Sequence, residues 1–194
     1  MFQLDSNMKF INVDTEYIKA LHDVCEEVRY KSVGYDNKPF VGILINNDDR
    51  KYVIPLSSAK QKHKSWKNVN KEIYLIYENT AKANMSHNDI WVELNDDKMR
   101  VKHIMSVIDI KKMIPIKEGC YSVVQLNAED RDSEDIIKYK DLLNKEYSFC
   151  LKIIDEVIDK ANKIYDKQMR TQKVAKFCCD FRALEKVCDT YTII

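Results

Sequence analysis

Glycine and proline are scarce in this chain, with three of each among its 194 residues. Glycine-loop nucleotide sites and turn-rich β-sandwiches use more of both, so neither class fits. There is no P-loop, no H-E-x-x-H, no G-x-S-x-G and no run of aspartates at metal-ligand spacing, which argues against metal-dependent phosphoryl chemistry. No apolar stretch is long enough to span a bilayer and no signal peptide opens the sequence. The six cysteines never stand at C-x-x-C spacing, a usage that fits the reduced cytoplasm. The vicinal pair Cys178 and Cys179 is readable as a redox or metal site, but no second Cys/His pair stands at ligand spacing, and small core residues are the better reading. Neither a metal nor a small-molecule cofactor is expected, and no membrane partner.

What is present is a balanced, core-rich chain: 45% hydrophobic residues and 32% charged describe a globular protein rather than a disordered one. No linker composition divides it, so residues 1–194 read as one domain, with 1–7 as a dispensable extension. Residues 9–13 read as a strand, followed by a helix with Asp14 or Thr15 at its N-cap and an apolar stripe of Ile18, Leu21, Cys25 and Val28. Tyr17 falls outside that stripe. Strands are predicted at 40–45 and 51–56 around an Asn-Asn-Asp-Asp turn, and again at 72–77, 90–94 and 105–110. Apolar at every position, 40–45 should be central, whereas Pro115 makes 113–116 an edge segment. From Ser133 the period becomes helical through Ile136, Tyr139, Leu143, Tyr147, Cys150, Ile154, Val157, Ala161 and Ile164, and a short helix follows from Asp180. The fold class is therefore α+β: a twisted antiparallel sheet flanked by helices, with a long C-terminal helical region packed on it.

Charge is where function shows. From Arg50 to Lys71 there are seven cationic residues and no acid, although the whole chain is nearly neutral at +1. A local positive field on a neutral protein points to a polyanion. Two apolar strands end beside Lys38 and beside Ser57, Ser58, Lys60, Lys62 and His63, and antiparallel pairing brings those ends together. Such groups suffice for RNA cleavage without a metal, because the ribose 2′-hydroxyl is its own nucleophile. Lys38 or Lys60 would hold the phosphate, Ser58 would donate a hydrogen bond to it, and His63 is the nearby group that titrates near neutrality. Tyr17, Tyr30, Tyr35 and Trp66 lie in or near the basic segments and suit base stacking, with Lys62, Lys64 and Lys67 for phosphates and His63 among them as a further RNA contact. A second basic run, Lys167, Arg170, Lys173 and Lys176, would widen the surface. A noncatalytic single-stranded RNA-binding module would use the same groove.

The ordered set Lys38-Pro-Phe-Val-Gly-Ile-Leu, Tyr52-Val-Ile-Pro-Leu-Ser-Ser-Ala-Lys-Gln-Lys-His63 and Ile108-Asp-Ile-Lys-Lys-Met-Ile-Pro-Ile116 resembles the ToxN/AbiQ family of type III toxin endoribonucleases. The segments Met8-Lys-Phe, Tyr17-Ile-Lys and Cys179-Asp-Phe-Arg-Ala-Leu-Glu-Lys-Val resemble it as well. The resemblance implies a core like that of the Kid and MazF toxins and metal-independent, sequence-selective cleavage to a 2′,3′-cyclic phosphate. It also implies an antitoxin RNA of pseudoknot repeats that the toxin itself processes, closed cyclic toxin-RNA assemblies, and a bacterial role in abortive infection or plasmid maintenance. By the same resemblance Lys38, Ser57, Ser58 and Lys60 are the catalytic positions, Tyr17 and Tyr35 line the groove, and His63 is a recurrent histidine of unassigned role. Ala59 stands where the family usually has proline, and residues 80–103 are longer than its usual connection.

Overall fold

The computed structural model describes residues 1–4, 7–30, 39–45 and 50–193. Lys38, Tyr35 and the turn at 46–49 lie outside the described residues. The described strands are β1 (Gln3–Leu4), β2 (Phe10–Val13), β3 (Phe40–Ile45), β4 (Lys51–Ser58), β5 (Ile73–Ala81), β6 (Trp91–Leu94), β7 (Asp97–Asp109), β8 (Ile114–Ile116) and β9 (Tyr121–Val123). The helices are α1 (Thr15–Val24), α2 (Glu134–Thr171) and α3 (Phe181–Thr190). All strands join one antiparallel sheet in the order β5-β7-β4-β3-β2-β9, with β1 added on β3, β6 on β7 and β8 on β4. The expected α+β class and the central place of β3 are both found.

Burial explains the order. β4 is buried continuously from Tyr52 to Ser57, because it pairs with β3, β7 and β8 and has both faces covered. β3 changes partner along its length: Leu44 and Ile45 face β1, Phe40 and Val41 face β2. The switch is made at a bulge where Gly42 adopts φ of 65° and donates to the Lys9 carbonyl at 2.7 Å, a conformation that costs a side-chain-bearing residue about 1–2 kcal/mol. β7 runs to Asp97, well beyond the expected 105–110. Its outer end, from 97 to 100, is exposed, and it is held by pairing with β5 and β6 rather than by an apolar pattern.

α2 is one unbroken helix of 38 residues, about 57 Å long at 1.5 Å per residue. Ser133 caps it by accepting from the Ile136 N–H, and Gln172 closes it in the left-handed region. Leu143, Cys150, Ile154, Val157 and Ala161 enter the main core, whereas Ile136 and Tyr139 remain exposed on the overhanging first turns. Gln168, buried, donates to the Cys179 carbonyl at 2.9 Å and accepts from the Phe181 N–H at 2.8 Å, tying α2 to the start of α3.

Two sequence expectations are corrected here. Tyr17 belongs to the buried face of α1: its ring is fully buried and its hydroxyl donates to the Pro115 carbonyl at 2.9 Å. It is a core residue and is closed to RNA. The N-terminal residues are not a loose extension, since Phe2 is buried between Tyr52 and Tyr165, with ring centroids 5.2 and 4.9 Å away. The Asn162 side chain clasps the Phe2 backbone at both its N–H and its carbonyl.

Candidate active site

The site is built on the last residues of β4. Leu56 donates its N–H to the Pro39 carbonyl at 3.2 Å, so the backbone just after position 38 lies beside the residue preceding Ser57. Ser57 pairs with Val107 and Ser58 with Ser106. Strand alternation turns the two hydroxyls to opposite faces of the sheet. Ser57 is buried and accepts from the Arg29 guanidinium, whereas half-buried Ser58 lines a cavity between the sheet and α2.

Arg29 is the residue that sequence reasoning missed as part of the site. It opens a basic run, which was its only signal; nothing local links position 29 to position 57. The segment carrying it is pinned by buried Val28, whose carbonyl lies 2.7 Å from His22 Nδ1, and by an ion pair between Glu27 and buried Lys112. Asp109, at the end of β7, completes this face. Burial raises its carboxyl pKa although Lys111, Lys112 and Arg29 pull it down, and one of its oxygens has no hydrogen-bond partner among the described residues.

Beyond Ser58 the chain leaves the sheet through Ala59, whose N–H reaches the Met105 carbonyl at 3.3 Å, and enters a short 3-10 helix, Gln61–Ser65. His63 caps that turn. Its Nδ1 accepts from the Lys60 N–H at 2.9 Å while its backbone N–H donates to the Lys60 carbonyl at 2.8 Å. An accepting Nδ1 requires the neutral ring protonated on Nε2. Burial first, then the charges of Lys62, Lys60 and Arg29, lower its pKa from the usual 6.5. Only 4% exposed and 4.5 Å from the Trp66 ring, His63 is a structural cap rather than the RNA contact expected of it.

The cap leaves Lys60, Lys62, Lys64 and Lys67 exposed along one edge. Lys62 lies 5.3 Å over half-buried Trp66, and Lys64 lies 5.6 Å over Trp91, an aromatic the sequence reading had not singled out. Arg50 and Lys51, counted in the same basic segment, are paired with Asp189 at 2.8 Å and Glu118 at 3.1 Å. Lys167 and Lys173 of the second basic run line a separate groove of about 490 Å³ with Lys71, Lys160 and Lys163. Among the described residues no three His, Cys, Asp or Glu side chains are grouped to hold a metal ion, and no helix is long and apolar enough to cross a membrane.

Comparison with known proteins agrees along nearly the whole chain. A family model described as toxin ToxN of the type III toxin-antitoxin system matches residues 9–189. Endoribonuclease ToxN of Bacillus thuringiensis subsp. kurstaki is 27% identical over 192 residues, covering 95% of this chain and 84% of the relative. Endoribonuclease ToxN of Pectobacterium atrosepticum is 25% identical over 181 residues, covering 92% and 91%. A solved type III toxin, described as selectively inhibited by a non-coding RNA pseudoknot, superposes with a TM-score of 0.66 at 25% identity, covering 96% of this chain and 98% of its own.

Proposed function

Because this chain belongs to the ToxN toxin family of type III toxin-antitoxin systems, we propose that it is an endoribonuclease toxin that cuts RNA at the end of β4 and is silenced by an RNA antitoxin. The observation that carries this reading is that Ser57, Ser58 and the exposed Lys60 follow one another at a single strand end, beside the backbone of Pro39, with Ser57 held by Arg29.

In the proposed reaction the 2′-oxygen attacks the neighbouring phosphorus, the bond to the 5′-oxygen breaks, and the proton lost by the first oxygen is replaced on the second. The products are a 2′,3′-cyclic phosphate and a 5′-hydroxyl. Lys38 and Lys60 offset the charge that builds on the phosphate, and Ser58 donates to a non-bridging oxygen. Arg29 is a positioning residue that holds Ser57. The whole sequence of steps needs no metal. The inhibitor is a pseudoknot-forming repeat RNA that the toxin itself trims, and the two assemble as a closed ring in the bacterial cytoplasm, with a role in abortive phage infection or plasmid maintenance.

The test is cleavage of RNA by purified protein in excess EDTA. The wild type is expected to cut, leaving cyclic phosphate ends. Lys38→Ala and Ser58→Ala are each expected to slow cleavage by about a hundredfold or more while RNA binding largely persists. Undiminished cleavage by both variants removes this site, and tight binding without any cleavage by the wild type makes the chain a binding module instead.

A further inference from the structure

The proposed reaction needs a proton on the 5′-oxygen, and Lys38, Lys60 and Ser58 are already committed to the phosphate. The register of β7 supplies a donor. Ile76 pairs with Ser106, but the next residue, Tyr77, pairs with Ile104, so Met105 is one residue extra on β7, a β-bulge. Side chains alternate across a strand, and a separation of three would ordinarily set His103 and Ser106 on opposite faces. The extra residue cancels that alternation. His103 therefore shares the face of Ser106, which is the face of its cross-strand partner Ser58, while Ile104 joins Val107 in the small core on the other side. Ser58 and His103 both line the cavity of about 580 Å³ between the sheet and α2. Three residues of strand span at most about 10 Å at about 3.3 Å each, a gap that the two side chains close with one phosphate between them.

The ring is oriented by carboxylates. Its neighbour on β5, Glu78, stands 3.4 Å from Nδ1, and Asp89, ahead of β6, stands 3.8 Å from Nε2. A carboxylate oxygen only accepts, so the ring fits both neighbours when each nitrogen carries an N–H. Nδ1 is then committed to Glu78, whose same oxygen Lys145 of α2 holds at 2.8 Å. The Nε2 proton is not committed: 3.8 Å exceeds a hydrogen bond, and Asp89 gives its other oxygen to the Ser86 N–H at 2.7 Å. Asp141 and Lys138 of α2 complete the charged lining. A ring held through one nitrogen, with an unspent proton on the other, is arranged to protonate a leaving group.

We infer that His103 is the general acid of the proposed cleavage, giving its Nε2 proton to the departing 5′-oxygen while Glu78 holds Nδ1. This assignment rests on the nuclease reading above. As the bond from phosphorus to the 5′-oxygen breaks, that oxygen takes the Nε2 proton. The ring is left neutral and regains a proton from water, and the proton of the 2′-hydroxyl leaves to water. His103 is thus a catalytic residue and Glu78 a positioning residue.

The test changes the leaving atom. The full chain is given an RNA that the wild type cuts, and the same RNA with sulfur in place of the 5′-oxygen at the cut, since a thiolate departs without needing a proton. His103→Ala and His103→Gln are each expected to cut the oxygen substrate roughly a hundredfold or more slowly, within the ~10²–10⁴ that a general acid contributes. Both should cut the sulfur substrate at nearly the wild-type rate. Glu78→Gln keeps an oxygen for Nδ1, so it should lose less on the oxygen substrate and recover in the same way on sulfur. Wild-type speed of both His103 variants on the oxygen substrate overturns the assignment and leaves the nuclease intact. So does an equal loss on both substrates, the mark of a merely structural ring. A wild type that cuts neither substrate overturns the nuclease reading and the acid with it.

Discussion

His63 shows how a residue at a functional edge can act without reaching the substrate. Its ring supplies the acceptor for the Lys60 N–H and so fixes where the chain turns after Ser58. Because burial and the neighbouring Lys62, Lys60 and Arg29 lower its pKa in the folded state, the unfolded chain takes up the proton first. Its contribution to stability is full above the usual histidine value of 6.5 and is lost as pH falls below that value toward the lowered folded one. Urea unfolding of the wild type should weaken from pH 7.5 to 5.5. His63→Ala should already be less stable by about 1–3 kcal/mol at pH 7.5, through the stranded Lys60 N–H, and should show a shallower decline. An equal decline in both proteins would remove the cap from the account. Tyr17 makes the opposite point: its ring could be buried because its hydroxyl found the Pro115 carbonyl, a partner 98 positions away that no local pattern reveals.

At the scale of elements, the N-terminal strand tests how much two residues of pairing can matter. β1 spans only Gln3–Leu4, but it delivers Phe2 to the ring cluster of Tyr52 and Tyr165 and to the Asn162 clasp. Phe2→Ala should destabilise the fold by roughly 3–5 kcal/mol, the range for emptying a buried phenylalanine site, and removal of residues 1–4 by at least as much. An unchanged urea midpoint in both would make the segment as dispensable as its sequence suggested. Elements were legible where they carried their own pattern. The period of α2 with Ser133 at its head read as one long helix or two with a kink, of which the structure has the first, and the apolar run of β3 gave a central strand. β1, β9 and the outer half of β7 carry no such pattern; they exist because a neighbour offers unpaired backbone. The same division holds in the site. Ser57, Ser58 and Lys60 were readable as a contiguous strand end, whereas Arg29 and Asp109 arrive there only through tertiary folding, and the opposite facing of the two serines follows from the register with β7.

Over the whole molecule, charge is sorted rather than abundant. The basic segment from Arg50 to Lys71 looks uniform in sequence, but folding divides it. Arg50 and Lys51 turn toward acids of α3 and of the turn before β9, at Asp189 and Glu118, and Lys71 lines the other groove. Lys60, Lys62, Lys64 and Lys67 remain as the exposed field beside Ser58, two of them resting on tryptophan rings that preorganise them without neutralising them. If this edge follows an RNA backbone, each phosphate it meets releases counterions, and for single strands the logarithm of affinity falls with the logarithm of salt by about 0.7 per phosphate. Replacing Lys62, Lys64 and Lys67 together by alanine should therefore flatten the slope by about 2, while Lys51→Ala, which removes a charge already matched by Glu118, should leave it nearly unchanged. Titrating a labelled, non-cleavable RNA at several salt concentrations gives both slopes. The same slope for the triple variant as for the wild type would place the RNA on another face of the protein.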